Sequence, residues 1–421
     1  VLSLSVAVYL VGFEEALYAR ESEFIWSDFF FAGLAILLAM EFARRTSGWF
    51  MPSLIAICLS YVLFLGRYVP GVFSFPGLNA ETVLYRSFFS GDGMFGMIAN
   101  ISATFVFMFI LFGAFLLKSG AGDFIVNVAR SFAGRYQGGA GHVAVVGSGL
   151  MGSVSGSAVA TTVSTGVITI PMMTRSGFSP RFAAGVEAAA STGGQLMPPV
   201  MGAGAFVMSS YTQIPYLTII AVSILPALLY FLTVAFFVRI EARRLNLTTD
   251  AGDDQTSAFD ALRKGWPFLI PLAVMIASLV MGYTPVRSAT VAIFAVIAVS
   301  WVTATPMTLN RCFDATLDAL RIMVPTAILL IAVGLVVNAV TTTGLGNAFS
   351  IMIVEWAGGS LMLTLVLVAM ASLILGMGLP VTASYIVLAT LAAPALFDLI
   401  TQTTMLDALS AADLPANVRA V

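Results

Sequence analysis

Three short stretches of this chain place oxygen-bearing and helix-breaking residues inside otherwise apolar surroundings. The first, Gly147 to Thr165, reads GSGLMGSVSGSAVATTVST and is bounded by Arg135 and Arg175. Basic residues flanking apolar segments stay on the cytoplasmic side, so two basic ends predict a re-entrant hairpin that enters and leaves by one face. Its tip would hold Ser153, Ser155, Gly156 and Ser157, with Thr161 just beyond. Carbonyls and hydroxyls left unpaired at such a tip are tolerated at membrane depth only beside a cavity or a bound ligand. Oxygen donors of this kind suit a hard monovalent cation. The plainer alternative is that Gly, Ser and Ala let neighbouring helices approach closely.

The second stretch, Ala190 to Gly204, reads ASTGGQLMPPVMGAG. Pro198 and Pro199 have no amide hydrogen to donate and clash with the preceding turn, so they predict a broken helix. Carbonyls around Ser191, Thr192, Gly193, Gly194 and Gln195 would be freed, and the half-helix beyond the prolines would present its positive end. The alternative is a proline kink used for packing. The third stretch, Gly376 to Tyr385, reads GMGLPVTASY and offers Gly376, Gly378, Pro380, Thr382 and Ser384 for a second hairpin tip. Read alone, it could equally be a Gly-Pro turn between two ordinary spans.

The elements that must position these residues are set by composition. Of 421 residues, 59% are hydrophobic and only 10% charged, whereas soluble domains carry about 25% charged residues. Lipid is therefore the expected main solvent. Ile101 to Leu117, Tyr216 to Val238, Pro267 to Met281, Ala289 to Val302 and Met323 to Val340 are nearly free of charge. Several approach the roughly 20 residues that cross a bilayer. The predicted class is an all-α polytopic membrane protein. The net charge of −2 gives no field for a nucleic-acid partner. Cys58 and Cys312 lie in or beside apolar runs and imply no disulfide framework. Val1 to Gly12 has neither an initiator Met nor a basic leader region, and reads as the remnant of an upstream apolar segment.

A weak repeat organises the chain. Ser119-Gly-Ala-Gly-Asp123 recurs in form as Thr343-Gly-Leu-Gly-Asn347, about 224 residues later. Ser155-Gly-Ser157 falls opposite Leu379-Pro-Val381, and Pro171 opposite Pro394. The first copy begins with a span ending at Lys118 and the second with a span leaving Arg321, both expected to be cytoplasmic, so the copies would be inverted across the membrane. The expected divisions are an N-terminal scaffold block at 1–97, a first repeat at 98–240 with a cytoplasm-facing hairpin, and a charged cytoplasmic linker at 241–264. Scaffold spans at 265–310, a second repeat at 311–397 with a periplasm-facing hairpin, and an atypical tail at 398–421 follow.

Enzyme chemistry is not expected. The chain has no GxxxxGK[ST] nucleotide loop, and its one histidine, His142, cannot build the usual zinc site. His142 reads as an interfacial hydrogen-bonding residue or a proton relay. Glu187 lies in an apolar context; intramembrane carboxylates are functional candidates, although pairing with Arg181 is the alternative.

Three strings make a resemblance specific: GSVSGSAVATT at Gly152 to Thr162, EAAASTGGQLMPPVMGAGAF at Glu187 to Phe206, and LILGMGLPVTASYIVLATLAAPAL at Leu373 to Leu396. They closely resemble the fused permease of tripartite ATP-independent periplasmic (TRAP) transporters, over nearly the whole chain up to Phe397. The resemblance implies an elevator-type architecture of inverted repeats, two re-entrant hairpins and broken helices. It implies sodium-coupled uptake of an organic acid or similar small solute, handed over by a periplasmic solute-binding protein, in the cytoplasmic membrane of a bacterium or archaeon. No cofactor is implied beyond Na+ as coupling ion, and lipid is the remaining partner. One sodium would take oxygens from Ser155, Ser157 and Gly193, and a second would sit near Gly378. The block at 1–97 resembles the end of a small membrane subunit fused to the large one. One departure stands out: the tail from Asp398 to Val421 lacks the Thr-Pro-Pro element that would partner Pro198 and Pro199. The expectation is a product truncated at both ends, and the competing function is a non-transporting membrane scaffold or docking subunit. A channel is disfavoured because the polar residues cluster at helix breaks.

Overall fold

The computed structural model describes residues 1–20, 25–134, 136–247, 263, 265–303, 305–358, 360–376, 384–392, 396, 397 and 399–401. The described residues form helices and connecting turns, with no strand among them. Backbone amides in a lipid solvent must be satisfied within the chain, and helices do so segment by segment. Among the described residues, four helices are long and apolar enough to span a membrane: Trp26–Ser47, Met97–Ala133, Tyr216–Arg244 and Leu309–Thr343. Three of the predicted apolar segments fall within helices longer than themselves, whereas Pro267 to Met281 and Ala289 to Val302 run past the ends of theirs, at Val280 and Ser300.

The chain forms two compact units, residues 1–100 with 326–421, and residues 101–325. In the first unit, Trp26–Ser47 packs on Phe50–Leu63 and on the short helix Ala80–Phe88. Asn79 caps that short helix by accepting from Thr82 N at 2.9 Å. This helix ends at Phe88, and turns follow. Leu345–Trp356 and Leu361–Gly376 are further helices of this unit, which also holds residues 326–343 of the helix Leu309–Thr343.

The second unit is built around Gly139–Ser155, a helix buried along nearly its whole length. This inbound arm turns through Gly156 and Ser157 into the return arm, Ala158–Arg175, and the two pack against each other as the predicted hairpin. The flanking helix Pro180–Gly193, the amphipathic helix Gly122–Ala133 and the span Tyr216–Arg244 close around the inbound arm. Small residues allow this crowding: Ala140, Ala144, Ala183, Ala190 and Ala242 are all core residues beside Val145, Met173, Phe178 and Val238.

The return arm has its polarity reversed relative to a soluble helix. Thr161, Thr165 and Thr169 are fully buried, whereas Val159, Val163 and Val167 are 75%, 64% and 73% exposed. Residues four apart stack on one helix face, so the arm turns a threonine stripe inward and a valine stripe outward.

The two glycine turns that suggested a repeat share a local conformation. Gly120 interrupts its helix at φ 100°, and Gly344 separates two helices at φ 68°. Within the second unit, Asp318 pairs with both Lys118, at 3.3 Å, and Arg321, at 3.4 Å. These two basic residues thus sit near each other within the unit.

Candidate functional site

The hairpin tip is built by residues whose backbones leave little freedom. Gly156 ends the inbound arm at φ 61°, and a Cβ there would lie 2.1 Å from Met201 O. Ser157 then starts the return arm, its Oγ accepting from Ala160 N at 3.3 Å. Ser155 Oγ lies 2.8 Å from Thr161 Oγ1 and also accepts from Ser157 N at 3.3 Å. Ser153 turns its hydroxyl back to Leu150 O, but its carbonyl accepts from Val200 N at 3.1 Å. The tip is thereby stitched to the break that follows the flanking helix.

That break lies later than the sequence reading placed it. The helix continues through Gly193, tightens into one 3-10 turn at Gly194–Leu196, and only then opens, from Met197 to Gly202, before Ala203–Thr212 resumes. The glycines are tolerated in the helix, whereas the prolines cannot supply the amides that would continue it. The Pro198–Pro199 peptide bond is cis. Several freed carbonyls are taken within the unit: Gly194 O by Met197 N at 3.1 Å, Gln195 O by Gly202 N at 2.8 Å. Tyr216 Oη reaches Pro199 O at 2.9 Å and Val200 O at 2.6 Å.

Below the tip the flanking helix crosses the inbound arm at contact distance. A Cβ on Gly152 would lie 2.3 Å from Gly194 Cα, and one on Gly194 would lie 2.7 Å from Gly152 Cα. Gly193 is placed instead against the Tyr230 ring, where a Cβ would approach to 2.2 Å. Close packing, the plainer reading of the first stretch, is therefore present at Gly152, and the structure extends it to Gly193 and Gly194.

One turn further from the tip sits Glu187, with no exposed surface. Its carboxyl is surrounded by hydroxyls: Ser148 Oγ at 2.9 Å and Ser191 Oγ at 3.0 Å, with Thr165 Oγ1 and Thr169 Oγ1 also in hydrogen-bond contact. These four come from both hairpin arms and the flanking helix itself. The alternative of an ion pair with Arg181 is not realised; Arg181 is exposed near the start of the same helix. Ser148 and Thr165 lay within the first quoted stretch without being singled out, and Thr169 lay outside it. The readable signal was spacing: threonines at 161, 165 and 169, and a Glu187–Ser191 pair, each four apart.

The predicted site residues thus separate into groups. Ser153, Ser155, Gly156, Ser157 and Thr161 come together at the tip, and Pro198 and Pro199 lie in the segment stitched to it. Ser191 joins Glu187. Thr192 is not brought to the others: it is exposed, and its hydroxyl donates to Ala188 O at 2.8 Å. Of the proposed sodium ligands, Ser155 and Ser157 are adjacent, while Gly193 packs against Tyr230. Gly378, Pro380 and Thr382 lie outside the described residues, as does Pro394. Gly376 and Ser384 flank the first three in sequence, and a Cβ on Gly376 would lie 4.0 Å from Ser384 Oγ.

One cavity in the second unit borders the break, and a second lies beside Tyr216. One, of about 350 Å³, is lined by Met197, Pro198, Pro199, Leu217 and Leu279 and is almost wholly apolar. The other, of about 290 Å³, includes Ser209, Ser210, Tyr216 and Tyr283 in its wall. Neither is lined by a basic side chain.

Apolar spans, a buried polar hairpin and a proline-broken helix define an integral membrane protein of the helical permease class. A family model for the Tripartite ATP-independent periplasmic transporter, DctM component, matches residues 34–406, and the chain belongs to that family. It is 27% identical over 238 residues to a putative TRAP transporter large permease protein of Haemophilus influenzae, covering 55% of each chain. It is 26% identical over 292 residues to the C4-dicarboxylate TRAP transporter large permease protein DctM of Pseudomonas aeruginosa, covering 69% of this chain and 68% of the relative. The sialic acid TRAP transporter permease protein SiaT of Haemophilus influenzae is 28% identical over 227 residues, 53% of this chain and 36% of the relative. The chain spans about half the length of the first of these relatives.

Proposed function

We propose that this chain is the permease of a secondary active transporter that takes up an organic acid or similar small solute, coupled to sodium. The observation that carries the reading is the junction of the hairpin tip with the proline break. Ser155, Ser157 and Thr161 supply oxygens there, beside a backbone segment that has left the helix. Irregular backbone at membrane depth is the usual setting for ion and solute sites in such proteins. Relatives named for C4-dicarboxylate, sialic acid and 2,3-diketo-L-gulonate support an acidic solute. With no basic residue lining the cavities, hydroxyls, amides and helix ends would meet its carboxylate.

In this reading the solute arrives on a periplasmic binding protein at the cytoplasmic membrane of a bacterium. The hairpin at Gly139–Arg175 and its counterpart around Gly376–Ser384 form inverted repeats of a moving domain, in an elevator mechanism, and the block at 1–97, which the family match enters at residue 34, carries the end of a fused small subunit. Uptake into proteoliposomes holding the complete transporter and its binding protein tests it. The expected result is uptake that needs an inward sodium gradient; equal uptake without sodium would overturn the coupling.

A further inference from the structure

The two cavities of the second unit adjoin, since Leu217 and Leu279 stand in the walls of both. Together they make one cleft. On one side the span Tyr216–Arg244 sets Leu217, Ile220, Ile224 and Leu228 into it, and on the other the helix Leu269–Val280 supplies Ile276 and Leu279. Spacings of three and four residues put the four span side chains on one helix face. The rise from Leu217 to Leu228 is about 16 Å. One leaflet contributes about 15 Å of hydrocarbon, half of a bilayer core. The apolar cleft is therefore one leaflet deep. The span and the helix face each other across it rather than packing together, and Ile224, Leu228 and Ile276 are left exposed.

The cleft changes character at its Tyr216 end. Tyr216 starts a 29-residue helix whose far end carries Arg243 and Arg244, so this mouth lies at the opposite membrane face, the outer one if basic ends stay inside. Ser210 and Tyr283 stand in its wall, and neither hydroxyl is hydrogen-bonded to a described residue. Arg287 stacks on the Tyr283 ring, its guanidinium carbon 4.1 Å from the ring centre. It is exposed and pairs with no carboxylate among the described residues. The sequence keeps carboxylates away: no Asp or Glu occurs from Ala188 to Ile240 or from Gly265 to Phe313. Stacking fixes the guanidinium plane and leaves its N–H edges free for an oxyanion.

A ligand that matches this cleft has an anionic, hydrogen-bond-accepting head at the membrane surface and a hydrocarbon tail one leaflet long. We propose that the cleft binds one anionic phospholipid of the outer leaflet. Its phosphate meets Arg287, Tyr283 and Ser210, and one acyl chain runs along Leu217, Ile220, Ile224 and Leu228. An amine headgroup would find no acidic partner here, which favours an anionic lipid over a zwitterionic one. Pro198 and Pro199 also line the apolar part, so the chain lies against the break in the helix. Occupancy by lipid does not rest on the transport reading.

Titration of the delipidated full chain with phosphatidylglycerol, read by native mass spectrometry, tests this without solute or sodium, so its failure is separable from a failure of transport. Wild-type protein is expected to bind a first phosphatidylglycerol more tightly than a first phosphatidylethanolamine. Arg287→Gln is expected to weaken that first binding about fivefold, the worth of one basic side chain beside an anionic headgroup. Ile224→Trp fills the groove from an exposed position and is expected to lose the same lipid. Phe236→Trp, exposed on the same span but outside the groove, is expected to bind as wild type. Excess inorganic phosphate is expected to leave the lipid in place. Displacement by phosphate, equal affinity for the two lipids, or first binding unchanged by Arg287→Gln or by Ile224→Trp would overturn the proposal.

Discussion

Gly156→Ala is the substitution that most directly probes how the hairpin tip is held. Two costs add. An alanine at φ 61° adopts a left-handed backbone, at about 1–2 kcal/mol. Its Cβ would also stand 2.1 Å from Met201 O, a backbone atom that cannot rotate away. The tip must then lift off the Met197–Gly202 segment, which breaks the 3.1 Å bond from Val200 N to Ser153 O. Losing one such bond and leaving its groups buried costs a further 1–3 kcal/mol, roughly. The expected loss is therefore about 2–5 kcal/mol. Gly147→Ala, on the same arm, is the control. Its Cβ would meet nothing closer than Ala129 Cβ at 3.6 Å, and replacing a helical glycine gains roughly 0.5–1 kcal/mol. Heating purified protein in detergent and measuring the monodisperse fraction by size-exclusion chromatography separates the two. Gly156→Ala is expected to melt well below wild type and Gly147→Ala at or above it. Equal melting of the two variants would refute the argument.

Tyr216→Phe keeps the ring stack on Phe206, at 4.6 Å, but removes the hydroxyl that donates to Pro199 O and Val200 O. A loss of roughly 1–3 kcal/mol in the same melting assay is expected, and wild-type melting would show that water replaces the hydroxyl. Cysteines on the return arm should report its reversed faces. Val163→Cys is expected to react with a membrane-soluble maleimide and Thr165→Cys to be protected in folded protein; the opposite order would place the threonine stripe outside.

The sequence made the spans and the hairpin readable because both rest on composition. Long apolar runs have one solution in lipid, and Gly156 beside Ser155 and Ser157 punctuates the run where the turn is found. Finer placement depended on packing partners that no local pattern records. Ser191 and Thr192 look equivalent in the string, but neighbours on a helix point about 100° apart, and only the crossing with the inbound arm selects Ser191. The helix break moved toward Pro198 because Gly193 and Gly194 serve close approach to Tyr230 and Gly152 rather than an early stop. Thr165 and Thr169 passed unremarked because threonine is ordinary in membrane helices; their meaning appears only with Glu187 opposite them.

The threonine stripe also fixes an order of biosynthesis. Thr161, Thr165 and Thr169 emerge from the ribosome before Glu187 and Ser191, the groups against which the stripe is later buried. Until then the arm can keep its hydroxyls on its own carbonyls, as Thr165 does on Thr161 O at 2.8 Å and Thr169 on Thr165 O at 3.0 Å. The contacts to Glu187 therefore form last, when the flanking helix docks and the hairpin closes on it.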